Sequence, residues 1–251
     1  MTAPGSLRRE DRREPAPGLL PVLPCSFDLA PRAAMRLQED LRRGIRVEPL
    51  PARRIARVAG CDVAVAGDRL CASILVFSLP ELQLLDAADA EVEAAFPYVP
   101  GLLSFREIPA LLAACARLRV RPDAIMCDGQ GRAHPRRFGL ACHLGLLLDM
   151  PTVGCAKSRL IGEHREPGAR RGDRVPLHDG REVIGTVLRT RDGVRPLYIS
   201  VGHRARLRDA VDLVLRCGAG YRLPEPTRRA DQRVRRRAKE LRSLGARLSA
   251  R

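Results

Sequence analysis

AIMCDGQGRAHPRRFGLACHLGLLLDMPTVGCAKS, residues 124–158, is the stretch on which the fold turns. It opens as a short apolar run, the profile of a buried strand, and stops at an Asp followed by glycines. RRFGLACHLGLLLDM then reads as a helix and TVGCAKS as another strand. This alternation predicts a mixed sheet with helices on its faces. Working outward, RVAGCDVAV, LCASILVFS and LQLLDAADA (57–65, 70–78 and 82–90) are apolar-rich runs parted by turn signals, and they read as an antiparallel three-strand meander. Towards the C-terminus REVIGTVLRT and VRPLYISVG form a hairpin around Asp192-Gly193, while the charged residues 163–181 read as a basic loop. Helices are expected from Pro31, with Ala34, Leu37 and Leu41 in phase and Gly44 as a stop, within 102–118, and over RLRDAVDLVLRCGAG. The fold class is α/β, with an antiparallel meander and parallel strands in one sheet.

Charge narrows the function classes. The chain of 251 residues carries 45 Lys plus Arg against 29 Asp plus Glu, a net charge of +16. Only Lys157 and Lys239 are lysines, so composition has drifted towards Arg. Such drift explains Arg over Lys but not the excess over acids, and a phosphate-rich partner is expected. Eight cysteines form no C-x-x-C pair and no Cys/His cluster, which disfavours zinc and reads as small core residues in a reducing compartment. No apolar stretch has the length of a signal peptide or a membrane span, so a cytoplasmic location with no membrane partner is expected; a monomer is expected as well. Residues 1–28 read as a disordered Pro/Arg-rich arm and 29–231 as one domain. Residues 232–251 read as a basic tail, either helical or ordered only on a partner.

Three carboxylates stand out by position. Asp62 lies in an apolar strand, Asp128 ends another, and Glu107 lies beside the first long helix. Acids inside apolar strands are costly unless paired or bound to metal, and strands that neighbour each other would bring Asp62 and Asp128 together around a hard cation, Mg²⁺ or Mn²⁺. Bland readings stand beside this one: Asp128 as a turn residue before Gly129, Asp62 as an outward-facing residue, and Glu107 as part of a capping box with Ser104. Pro109 argues against the capping box, since it fits best as the first residue of a helix, leaving Glu107 just outside. Asp86, Asp89 and Asp149 read as surface or turn residues. His134, Arg136 and Arg137 follow Asp128 at once, which would put an imidazole and two guanidiniums beside the metal, His203 sits at a strand end, and Lys157 is a retained lysine; His143, His164 and His178 receive no role. Asp128-Gly129-Gln130-Gly131 lacks the third glycine of a dinucleotide fingerprint, and there is no P-loop.

AGCDV, PYVPGLLSFRE, CDGQGRAHPRRFGLACHLGLLLDMPTVGCAKSRL, VGHR and GYRLPEPTRRAD, spread from about residue 32 to 231, resemble the endonuclease V family. The resemblance implies an RNase H-like fold and Mg²⁺-dependent hydrolysis of deoxyinosine-containing DNA at the second phosphodiester 3′ to hypoxanthine, leaving 3′-hydroxyl and 5′-phosphate ends. It implies a metal site of Asp62, Glu107 and Asp128, with His203 nearby and Lys157 beside the scissile phosphate. Pro97-Tyr98-Val99-Pro100 matches the family's strand-separating wedge, in which prolines hold the Tyr98 ring rigid where a base has been everted. Gly101, Leu103 and Gly131 fall where the base pocket would lie, with His134 on the substrate side. The N-terminal arm and the chain beyond Asp231 lie outside the family pattern, and Gln130 stands where histidine is common. Two rival expectations are an inosine-specific endoribonuclease on single-stranded RNA and a nucleic-acid-binding protein with a degenerate metal site.

Overall fold

The computed structural model describes residues 18–50 and 54–249, with side chains to residue 243. Most of the expected arm, residues 1–17, lies outside the described residues. An eight-stranded sheet in the order β3-β2-β1-β4-β5-β8-β7-β6 forms the centre. The meander is β1 (Arg57–Ala66), β2 (Arg69–Ser78) and β3 (Leu84–Glu93). β4 (Ala124–Cys127) and β5 (Thr152–Ala156) run parallel to β1 in the middle. β6 (Arg174–Asp179), β7 (Glu182–Leu188) and β8 (Leu197–His203) continue antiparallel. β6 corrects the expectation of a loop over 163–181.

Helices cover both faces because the central strands are apolar on both. In β4, Ile125 and Cys127 join the core under α2 (Leu103–Cys115) and α3 (Leu140–Leu148), whereas Ala124 and Met126 join the core under α4 (Leu207–Arg216). α1 (Pro31–Leu41) starts at a proline whose fixed φ suits a first turn, and it buries Ala34 and Gln38 one turn apart. α5 (Glu225–Ser249) runs straight through the boundary expected at residue 231 and seats Val234 and Ala238 against Ala66 and Cys71. The basic segment is therefore a helix docked on the sheet by its apolar stripe, as far as its side chains are described. Arg233 reaches both oxygens of Asp89 on β3 at 2.7 Å, so Asp89 is an anchor for α5 and not an ordinary surface acid.

Two further expectations change. Pro109 lies inside α2 and does not open it, so Glu107 is helical. Packing overrides the missing donor, since Phe105, Ile108, Leu111 and Ala114 form one fully buried stripe. Ser104 caps nothing either; its hydroxyl is 3.1 Å from His143 Nδ1 in the core. The second change concerns residues 18–28, which lie against the domain. Leu19 N–H donates to the Cys115 carbonyl (3.0 Å), Val22 N–H to that of Leu147 (2.7 Å), and Phe27 stacks on His143. Seven of the cysteines are buried, Cys25 partly so, and all eight are free thiols. Among the described residues no helix is long and apolar enough to cross a membrane.

Candidate metal centre and adjoining pocket

Cys61 pairs with Cys127 across parallel β1 and β4, and Cys127 with Gly154 across β4 and β5. The carboxyl ends of β4 and β5, and β1 beside them, thus define one region of the sheet edge, the place where open α/β sheets bind ligands. Asp62 follows Cys61, Asp128 follows the last residue of β4, and Lys157 follows the last residue of β5. Side chains alternate along a strand. Val58, Met126, Val153 and Cys155 belong to the core on the α4 face, so Asp62, Asp128 and Lys157 emerge in phase with it. α5 crosses the same face: a Cβ on Gly60 would stand 2.1 Å from the Pro226 carbonyl carbon, so only glycine lets the helix approach so closely.

This approach delivers a further acid, Asp231, from α5. Carboxylate oxygens of Asp62, Asp128 and Asp231 lie within 4.8 Å of one another. Lys157 Nζ contacts Asp128 Oδ2 and lies 2.6 Å from Asp231 Oδ1. Burial, then the charge of Asp128, pushes Asp62 up to about 7. Burial, then the charges of Asp62 and Asp128, pushes Glu107 up to about 8, which sets Glu107 in the same field from α2. Lys157 is raised: burial works against its charge, but Asp128 and Asp231 outweigh it. An oxygen-only set of mutually repelling, half-buried acids fits a hard divalent cation.

Beside the cluster lies a cavity of about 360 Å³, within the range of small-molecule sites. Three segments of the chain supply its walls: one from Tyr98 to Ser104, one from Asp128 to Leu140 that includes Gln130, His134 and Gly139, and one from Ala156 to Leu160. Tyr98 is 71% exposed. Gln130 Nε2 donates to the Ser158 carbonyl at 2.9 Å, whereas its Oε1 is buried without a hydrogen-bond partner. Residues 39–232 match the family model for endonuclease V.

The chain belongs to the endonuclease V family.

Endonuclease V from Roseiflexus sp. (strain RS-1) is 54% identical over 177 residues, which make up 70% of this chain and 80% of that one. The crystal structure of endonuclease V from Streptomyces avermitilis is similar with a TM-score of 0.82 at 44% identity, covering 87% of this chain and 97% of that one. Ciona intestinalis endonuclease V, in complex with a 24mer DNA containing an inosine followed by a ribo-adenosine, is similar with a TM-score of 0.72 at 25% identity, covering 84% and 98%. The protein is therefore a nuclease, and its mixed sheet is the RNase H-like fold of endonuclease V.

Within this endonuclease V chain the expected residues divide. Asp62, Asp128 and Lys157 meet, Glu107 stands in their field, and Tyr98, Pro100, Gly101, Leu103 and His134 line the adjoining cavity. His203 does not join them. It pairs with Thr152, the first residue of β5, whereas Lys157 follows the last, and its ring lies 3.3 Å from Asp149 Oδ1. Gly131 is buried behind the cavity wall, where a Cβ would stand 2.1 Å from the Val201 carbonyl oxygen, so close packing explains the glycine. Pro97 is exposed and does not line the cavity. His134 spends both ring nitrogens on the protein: Arg136 N–H donates to Nδ1 (3.2 Å) and Nε2–H donates to the Gly101 carbonyl (3.0 Å). Burial, reinforced by Arg136, holds its pKa down at about 4 and keeps the ring neutral. Asp231 was missed because it sits in an Arg-rich run, yet Thr227, Ala230, Val234 and Ala238 are buried and place Asp231 in phase with an apolar stripe.

Proposed function

We propose that this endonuclease V chain is a Mg²⁺-dependent DNA-repair endonuclease, with Mn²⁺ as a substitute, acting as a cytoplasmic monomer. Its substrate is deoxyinosine-containing DNA, which it hydrolyses at the second phosphodiester 3′ to hypoxanthine, leaving 3′-hydroxyl and 5′-phosphate ends. One observation carries the reading: Asp128 belongs both to the carboxylate cluster and to the wall of the cavity. A base seated in the cavity therefore brings its own backbone to the cluster.

Asp62, Asp128 and Asp231 would hold the cation, with Glu107 beside them. When bound, such a cation supplies Lewis acidity to the phosphoryl oxygens. Lys157, already between Asp128 and Asp231, neutralises charge on the phosphate. Everting a base costs a few kcal/mol, and the exposed Tyr98 ring, held between prolines, offsets part of it by stacking. Gln130 Oε1, which has no partner, offers an acceptor to the N–H that hypoxanthine carries where adenine carries a lone pair.

A second reading, cleavage at inosine in single-stranded RNA, draws support from the ribo-adenosine that follows inosine in the DNA bound by the Ciona enzyme. Nicking of a duplex with a single deoxyinosine, beside an inosine-containing RNA and with or without Mg²⁺, separates the two. Asp128→Ala should abolish cleavage and retain binding. Cleavage by that variant, or by the native chain in a chelator, would remove the metal assignment.

A further inference from the structure

We propose that Gln38 is a positioning residue that fixes the spacing between two walls of the cavity and thereby sets which base is accepted. The proposal rests on the cavity being the base site. Gln38 sits on α1, outside the cavity, and is completely buried (0% exposed). A buried amide has to be satisfied, and this one is satisfied by the walls. Its Nε2 donates to the Gly101 carbonyl (3.2 Å) and to the Phe138 carbonyl (3.1 Å). Gly101 belongs to the wall segment that carries Tyr98, and Phe138 immediately precedes Gly139 of the wall segment that begins at Asp128. One nitrogen therefore ties both walls, and their separation is set by the reach of a single amide.

The tie is reinforced at Gly101. Gly101 has φ +78°, a region glycine enters and leaves at little cost, so its own preference does not hold its carbonyl in place. Three side chains do so instead. Besides Gln38, Arg136 Nη2 donates to the Gly101 carbonyl at 2.7 Å and His134 Nε2 at 3.0 Å. Gln38 Oε1 in turn accepts from Arg136 Nε at 2.6 Å, which aims the guanidinium at the same carbonyl. Gln38 is thus the centre of the clamp, since it holds both walls and orients the strongest donor.

The test uses the full chain. Gln38→Met keeps the side-chain length and removes its donor and acceptor, and Arg136→Lys loosens the same clamp from a less buried site. Thermal unfolding establishes that each variant folds, and Mn²⁺ titration reports the carboxylate cluster separately. Single-turnover kcat/KM is compared on matched strands carrying hypoxanthine, guanine or adenine, and hydrogen exchange is followed at residues 99–102. Gln38→Met should lower the preference for hypoxanthine about tenfold, the effect of losing a buried hydrogen-bond partner, with Mn²⁺ affinity unchanged and faster exchange in the loop. A merely structural role would depress the three substrates alike. Unchanged preference in both folded variants overturns the proposal. If the native chain shows no preference among bases, the base-site reading fails by itself. In that event loop exchange decides the clamp, accelerated exchange supporting it and unaltered exchange overturning it.

Discussion

Asp231 shows what a single residue can hide. An acid among arginines looks like one half of a solvated ion pair, and Arg235 does lie 3.0 Å from it. Helical phase told the other half, because Asp231 is four residues after buried Thr227 and three before buried Val234. The acids in strands were legible for the opposite reason: Asp62 and Asp128 interrupt apolar runs, where charge is out of place. His203 misled because a strand end can lie at either edge of a sheet, and sequence does not say which. Tyr98 affords the clearest prediction at this scale. Being 71% exposed, it contributes little to folding, so Tyr98→Ala should shift stability by less than about 0.5 kcal/mol. Lost stacking should weaken binding of a hypoxanthine strand by about 1–3 kcal/mol, measured as Kd against an undamaged strand. Equal loss on both strands would remove the wedge role.

Elements were legible where periodicity was strong. The meander and the two central strands emerged from alternation and burial, but β6 was lost because its sequence is charged and half exposed. A signal was present: Asp179-Gly180 precedes Arg181 and Glu182 in a tight turn, with Asp179 opposite Glu182. α2 and α5 were cut short by local rules, a proline and a change of composition, that packing overrode. The contact of α5 with β1 yields a prediction. Gly60→Ala places a methyl against backbone, 2.1 Å from Pro226 and 2.5 Å from Thr227 N, and neither is the end of a flexible side chain. The helix must shift, at a cost of about 1–3 kcal/mol. Asp231 shifts with it, so Mn²⁺ affinity should fall in a chain that remains folded by circular dichroism. Native affinity in that variant would show that α5 does not position the cluster.

Across the whole molecule, buried acids and buried histidines pull stability in opposite directions with pH. Asp62, raised to about 7, and Glu107, raised to about 8, hold protons in the folded chain that the unfolded chain has released. Their contribution is therefore present below the ordinary carboxylate range of about 4 and lost as pH rises through those folded values. His134, depressed to about 4, and His143, to about 3, work the other way, but above about pH 7 both are largely neutral folded or unfolded. In a chelator, urea midpoints should thus fall between about pH 7 and pH 8, before the buried thiols, which are also raised, add a loss of their own, and Mg²⁺ should restore them by binding the folded state alone. Glu107→Gln should flatten the slope. A slope that is the same in that variant would exclude Glu107 from the charged cluster.

The segment at Leu19 and Val22 carries an implication for synthesis. Its hydrogen-bond acceptors belong to Cys115 and Leu147, about a hundred residues later in the chain. Because a protein leaves the ribosome from its amino end, these early residues cannot settle until both helices have been made. They must wait for partners that the ribosome supplies well after them.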